Sequence, residues 1–143
     1  MVTKGKDAEM EIKEEVAAPS APEWPEHFPS ECPPIDASKI DGDIYYLVAT
    51  APPTPADFRC ALELNKFKSH PLCIRASLSC AVTYEEIKGR RANGPLLRNH
   101  SIAKATLDES HGVIKQTYSP GHYSMWLTPT TLSTAHEIFE VLT

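Results

Sequence analysis

Two turn signals, Asp108-Glu109-Ser110-His111-Gly112 and Ser119-Pro120-Gly121, divide residues 101–127 into three short runs of strand character. Alternation of apolar and polar side chains with period two marks a half-buried strand, and Gly-containing loops of three to five residues join antiparallel neighbours. Residues 102–107, 113–118 and 123–127 therefore read as three antiparallel strands in meander order.

The second turn also predicts a register. With Ser119-Pro120-Gly121 as a three-residue loop, Tyr118 pairs with His122, Gln116 with Ser124, and Ile114 with Trp126. Directly opposed residues share a face. One face then carries Tyr118, His122, Gln116, Ser124 and Trp126, polar groups beside two large aromatics. That composition is favoured at interaction surfaces. The other face, with Val113, Tyr123, Met125 and Leu127, reads as core. A slip of one residue would mix the two sets. The plain alternative for Trp126 is that another part of the chain covers it.

The rest of the chain adds a few clear elements. Residues 44–50 are β-branched and aromatic and read as a strand that Ala51-Pro52-Pro53 ends. Thr54, Pro55 and Asp57 form a helix start, with Phe58, Ala61, Leu62 and Leu64 as a buried stripe running to about Lys66. Residues 77–82 read as strand. Thr83-Tyr84-Glu85-Glu86 fits a capping box, so a short helix is expected from there to about Ala92, stopped by Asn93-Gly94-Pro95. A single turn at 135–136 and a closing strand at 138–142 complete the reading. The expected fold is α+β: a mainly antiparallel sheet of about five or six strands with two short helices.

Residues 1–40 differ in kind. They hold nine Asp and Glu against four Lys, which accounts for the whole net charge of −5. Six of the chain's 13 prolines fall between residues 17 and 34. Charge at one end and proline at the other predict a disordered or extended acidic arm, with a single domain over residues 41–143. Trp24 and Phe28 are the exception and suit docking onto the domain. A neutral domain with an acidic arm is a poor non-specific nucleic-acid binder. No apolar run is long enough for a membrane span, and Met1–Glu15 lacks the apolar core of a signal peptide. The expectation is a cytoplasmic protein in which Cys32, Cys60, Cys73 and Cys80 are reduced and act as small apolar residues.

Candidate sites are few. His111 and His122 tempt a paired-histidine reading, but a strand of about seven residues at roughly 3.3 Å each separates them. His70, Cys73 and Cys80 lack the second close ligand pair that structural zinc needs, so no metal or other cofactor is expected. Lys88, Arg90, Arg91 and Arg98 form the densest cationic cluster, either an anion site or a solvated helix end. Phosphate-loop, nucleophile-elbow and zincin motifs are absent from the sequence. Two functional classes remain. The first is a small non-catalytic protein-interaction module, as inhibitor, immunity-type partner or accessory subunit, working through the aromatic-polar sheet face. The second is a small enzyme for a nucleotide or phosphate-bearing substrate, with His122 or His111 beside an arginine cluster.

Overall fold

A computed structural model describes residues 23–142 of the chain. Among these residues, seven strands form two antiparallel sheets. In chain order the elements are β1 (Ser38–Lys39), β2 (Gly42–Val48), a 3₁₀ turn (Pro55–Phe58), α1 (Leu72–Arg75), β3 (Leu78–Cys80), α2 (Tyr84–Asn93), β4 (Ser101–Leu107), β5 (Gly112–Gln116), β6 (Tyr123–Leu127), α3 (Pro129–Ile138) and β7 (Glu140–Val141). The α+β class expected from the sequence holds, with more strands than expected and two sheets instead of one.

The first sheet has the order β1-β5-β6-β3 and the second β2-β4-β7. Paired backbone hydrogen bonds between Tyr45 and Ala81, 2.9 and 3.0 Å, join them where β2 passes the end of β3. Alternation explains the main core. Ile44, Tyr46 and Val48 from β2 and Ala103, Ala105 and Leu107 from β4 point one way, toward Met125 and Leu127 of β6. Phe58, Ala135 and Phe139 close that core, and the rings of Tyr46, Phe58 and Phe139 stack or tilt against one another. On the opposite face of the second sheet, Tyr45, Leu47 and Ile102 are covered by Ile87 and Tyr84 of α2. The inward placement of Tyr84 and Ile87 matches the expected helix, and the Thr83 hydroxyl caps it by accepting from the Glu86 N–H at 3.2 Å.

Several local expectations are corrected. The Asp108–Gly112 turn forms, but it does not make a hairpin. β4 pairs with β2 and β7, while β5 pairs with β1 and β6, so the chain crosses between sheets at this turn. Thr54 and Pro55 do begin a helical turn, with the Thr54 N–H donating to Asp57 at 2.9 Å. It ends at Phe58, because Arg59 is extended (φ −92°, ψ 131°). Leu64 is exposed in consequence. Conversely, α3 occupies ten residues where a single turn was expected. Its start repeats the Thr-Pro signature: Thr128 accepts from the Thr131 N–H, and Pro129 stands in the first turn.

The β5–β6 hairpin is shifted by one residue from the expected register. Gln116 faces Tyr123, Lys115 faces Ser124 and Val113 faces Trp126. The Thr117 N–H donates to His122 O at 2.9 Å, so the connection is a four-residue loop, 118–121. Tyr118 begins it with φ of 62° and Gly121 ends it with φ of 83°. His122, Ser124 and Trp126 keep their common face, but Val113, Lys115 and Thr117 join them in place of Ile114, Gln116 and Tyr118.

That face is not open. Residues 24–37 lie over it with α1, enclosing Trp126 with Trp24, Phe28, Cys32, Ala76 and Val113. Trp126 is fully buried, and its indole N–H donates to Cys73 O at 2.9 Å. Cys32 and Cys73 form a disulfide that ties the covering segment to α1. The expectation of four reduced thiols is therefore corrected: Cys60 and Cys80 are free and buried, and Cys32 and Cys73 are bonded. The expected disorder of the arm up to residue 22 lies outside the described residues. No helix among the described residues is long and apolar enough to cross a membrane.

Candidate functional site

A concavity lies between the loop 59–75, β3 and the 118–122 turn, with a volume of about 440 Å³. That size suits a small ligand. The loop is shaped by a few bonds. Leu62 N–H donates to Arg75 O at 2.9 Å, and Lys66 N–H donates to Ala61 O at 2.8 Å. Arg75 is buried, and its Nε donates to Lys66 O at 2.9 Å, clamping the loop from inside.

Charge in this cavity has one sign. Arg59, Lys66 and Arg75 line it, together with His70 and His122, and none of the lining residues is Asp or Glu. In a concave, partly desolvated space such a set attracts anions, because low-dielectric walls focus the field. Aromatic groups add flat surface. Phe67, His70, Tyr118 and His122 form a run of ring contacts, with successive centroids 5.7, 5.7 and 5.5 Å apart. The Tyr118 hydroxyl is hydrogen-bonded to His70 Nδ1 at 2.9 Å.

His122 is held from behind. The Thr117 hydroxyl lies 3.0 Å from His122 Nδ1 and 2.9 Å from the Ser124 hydroxyl. Burial, and then the nearby positive charge of Arg90, lower the His122 pKa below its ordinary value of 6.5, against a smaller opposing effect of its backbone link to Thr117. Both effects favour the neutral ring, the form that can accept a proton or a hydrogen bond.

Backbone strain concentrates here. Asn65, Phe67 and Tyr118 have φ of 58°, 53° and 62°, three of the four left-handed non-glycine residues among those described. Such conformations cost on the order of 1–3 kcal/mol each and persist where surrounding structure enforces them, often at ligand sites. Phe67 and Tyr118 are also 63% and 66% exposed, and with Leu64 they leave apolar side chains in water around the rim.

Of the residues singled out from the sequence, Tyr118 and His122 meet in this cavity. Ser124 is buried behind them, Gln116 is exposed and faces the opposite side of the sheet, and Trp126 lies under the covering segment. His111 is at the far end of β5, where its Nδ1 accepts from the Asp108 N–H at 2.9 Å. The cationic cluster on α2 disperses. Arg90 turns under the 119–121 turn and donates to Cys80 O and Gly121 O, both at 2.9 Å. Arg91 donates to His100 O at 3.2 Å, while Lys88 and Arg98 project to solvent. The cations that do converge, Arg59, Lys66 and Arg75, were missed. The available signal was residues 58–75, which hold four Lys and Arg against the single acidic residue Glu63.

No family model, curated protein or solved structure matches this chain.

Proposed function

We propose that this protein is a small binding domain for an anionic ligand carrying a planar ring, of the nucleotide or phosphate-ester class. The observation that carries the reading is the cavity lined by Arg59, Lys66, Arg75, His70 and His122 without a carboxylate. Cations supply attraction to phosphate oxygens, and the exposed Phe67 and Tyr118 rings supply faces for stacking. His122 is the group suited to accept a proton from a bound substrate, so the same site supports the enzymatic alternative. The cations in that alternative are Arg59 and Arg75 in place of Arg90, Arg91 and Arg98.

Titration calorimetry with nucleoside monophosphates, and separately with inorganic phosphate, tests the reading. Nucleotide binding is expected to be saturable, and tighter than phosphate by the contribution of stacking. Lys66→Met and Tyr118→Ala change exposed side chains and should each weaken it, with the fold intact by circular dichroism. Absence of binding by every nucleotide and by phosphate refutes the proposal. A hydrolysis assay on phosphate esters, with His122→Gln as control, separates turnover from binding.

The protein-interaction reading keeps one specific support, moved from the sheet face to the cavity rim. Leu64, Phe67 and Tyr118 are all at least 41% exposed and line the cavity together. An apolar, aromatic rim around a basic hollow also suits an acidic segment of a partner protein. Phe67→Ser would then abolish co-purification of a partner from the native source. The disulfide supports an oxidising compartment over the cytoplasm, since such bonds persist where thiols are not kept reduced.

A further inference from the structure

We propose that His27, Cys60 and Glu63 form a binding site for a borderline-soft divalent cation, zinc by its donor set. One ligand atom from each residue, an imidazole nitrogen, the thiol sulfur and a carboxylate oxygen, lies within 4.8 Å of the other two. The site borders the anion cavity through Cys60, but neither His27 nor Glu63 lines that cavity.

The chain brings these groups together for local reasons. Cys60 and Glu63 belong to one helical turn, closed by the Leu64 N–H donating to Cys60 O at 3.1 Å, so residues three apart project to the same side. The Cys60 backbone N–H donates to Glu63 Oε1 at 3.2 Å and orients the carboxylate. His27 arrives from the segment that covers the first sheet. A turn closed by the Phe28 N–H to Pro25 O bond, 3.0 Å, presents it, and the Phe28 ring packs edge-on against it at 5.0 Å. The Cys32–Cys73 disulfide, five residues further along, anchors that segment to the domain.

The spacing suits a small tetrahedral ion. Zinc bonds are about 2.3 Å to sulfur and 2.0–2.1 Å to nitrogen or oxygen, so neighbouring ligand atoms stand roughly 3.3–3.6 Å apart around the metal. His27 Nε2 and Glu63 Oε1 are already 3.9 Å apart. With no separation above 4.8 Å, closing each by at most about 1.5 Å would complete the set. Charge also balances. Binding releases the Cys60 thiol proton to solvent, and the thiolate and carboxylate together neutralise a divalent ion. Sulfur with imidazole and carboxylate selects zinc over magnesium or calcium, which prefer all-oxygen shells. Three protein ligands leave one tetrahedral position for water or a small ligand.

Cobalt(II) is the probe, added to the full chain under anaerobic conditions without reductant so that the disulfide stays intact. The expected result is one ion per chain, a thiolate-to-cobalt charge-transfer band and intense tetrahedral d–d absorption, displaced by zinc. Cys60→Ser should abolish the charge-transfer band, while Cys80→Ser, at the other free thiol, should keep it. His27→Gln alters a partly exposed side chain and should weaken binding at least about tenfold, since even outer-layer partners of a metal ligand carry that much. Circular dichroism establishes that each variant is folded. Absence of the band at saturating cobalt in the unmodified protein, or a band that survives in Cys60→Ser, overturns the proposal. Failure of nucleotide binding leaves this result unchanged.

Discussion

Trp126→Ala should destabilise the fold by about 3–5 kcal/mol, the range for deleting a fully buried aromatic side chain. Trp126 has no exposed surface and fills the space between β5, α1 and the segment 24–37. The variant also leaves Cys73 O without the indole donor now 2.9 Å away, a loss of about 1 kcal/mol within that total. Collapse of residues 24–37 into the vacated space would place the effect at the lower end. With a urea m-value of about 2 kcal/mol/M, the denaturation midpoint should fall by roughly 1.5–2.5 M. Trp24 belongs to the same cluster and remains as the fluorescent reporter. Trp126→Phe keeps a ring but removes the N–H donor, and should lose about 1–2 kcal/mol. A loss under about 1 kcal/mol for Trp126→Ala would mean that the segment does not cover this face, and Trp126 would return as a surface residue of the sheet.

Thr83→Ala should lower stability by about 1 kcal/mol through loss of the cap on α2, read as a midpoint shift at constant m-value. Gly112 has φ of 156°, and a Cβ there would collide with the Trp126 carbonyl across the β5–β6 pair. Gly112→Ala should therefore cost at least about 1–3 kcal/mol of backbone strain, visible in the same urea assay; an unchanged midpoint would contradict the β5–β6 register. The His122 ring should titrate below 6.5 by NMR in the free protein, and its pKa should rise when a phosphate-bearing ligand occupies the cavity. Because its folded pKa is depressed, the unfolded chain binds that proton more readily. Stability should decline as pH falls through 6.5 toward the folded pKa, and His122→Gln should remove this slope. Denatured, unreduced protein should react with thiol reagent at two positions per chain, Cys60 and Cys80, and at four after reduction. In the folded protein both should react slowly, because burial raises the thiol pKa of each, that of Cys80 to about 12.

Local chemistry located some elements well. Residues 44–50 read as strand because they are β-branched and aromatic; the strand ends at Val48, and Ile44, Tyr46 and Val48 do face the core. The Thr83 cap, Glu86 at the third helical position and Gly94 at the end fixed α2 from both termini. The Thr-Pro start at 128–129 was equally available. It was overlooked because the following Thr-Thr-Leu-Ser-Thr run has weak helix propensity. Burial of Thr131 and Ala135 against the core supplies what propensity lacks. At Thr54-Pro55 the same signature began a helix that tertiary structure then stopped. The loop from Arg59 onward is held instead by bonds to Arg75.

The sequence by itself determined the α+β class, the positions of most strands and the caps of α2, because these depend on side-chain period and on hydrogen bonds between near neighbours. It also placed Tyr118 and His122 at one turn. The β5–β6 pairing was also legible from its turn, but only tertiary structure decided its register and the other strand partners. The Asp108–Gly112 turn reverses the chain whether or not its flanking strands join, and β4 and β5 each found both partners elsewhere. The one-residue shift in the β5–β6 hairpin has the same origin. Tyr118 takes a left-handed conformation that local propensity disfavours, while its ring contacts His70 and His122 across the cavity. Convergence of Arg59, Lys66 and Arg75 with those rings, of His27 with Cys60 and Glu63, and of Cys32 with Cys73 joins segments as much as 63 residues apart. Such meetings depend on packing of the whole chain, which neither periodicity nor turn chemistry encodes.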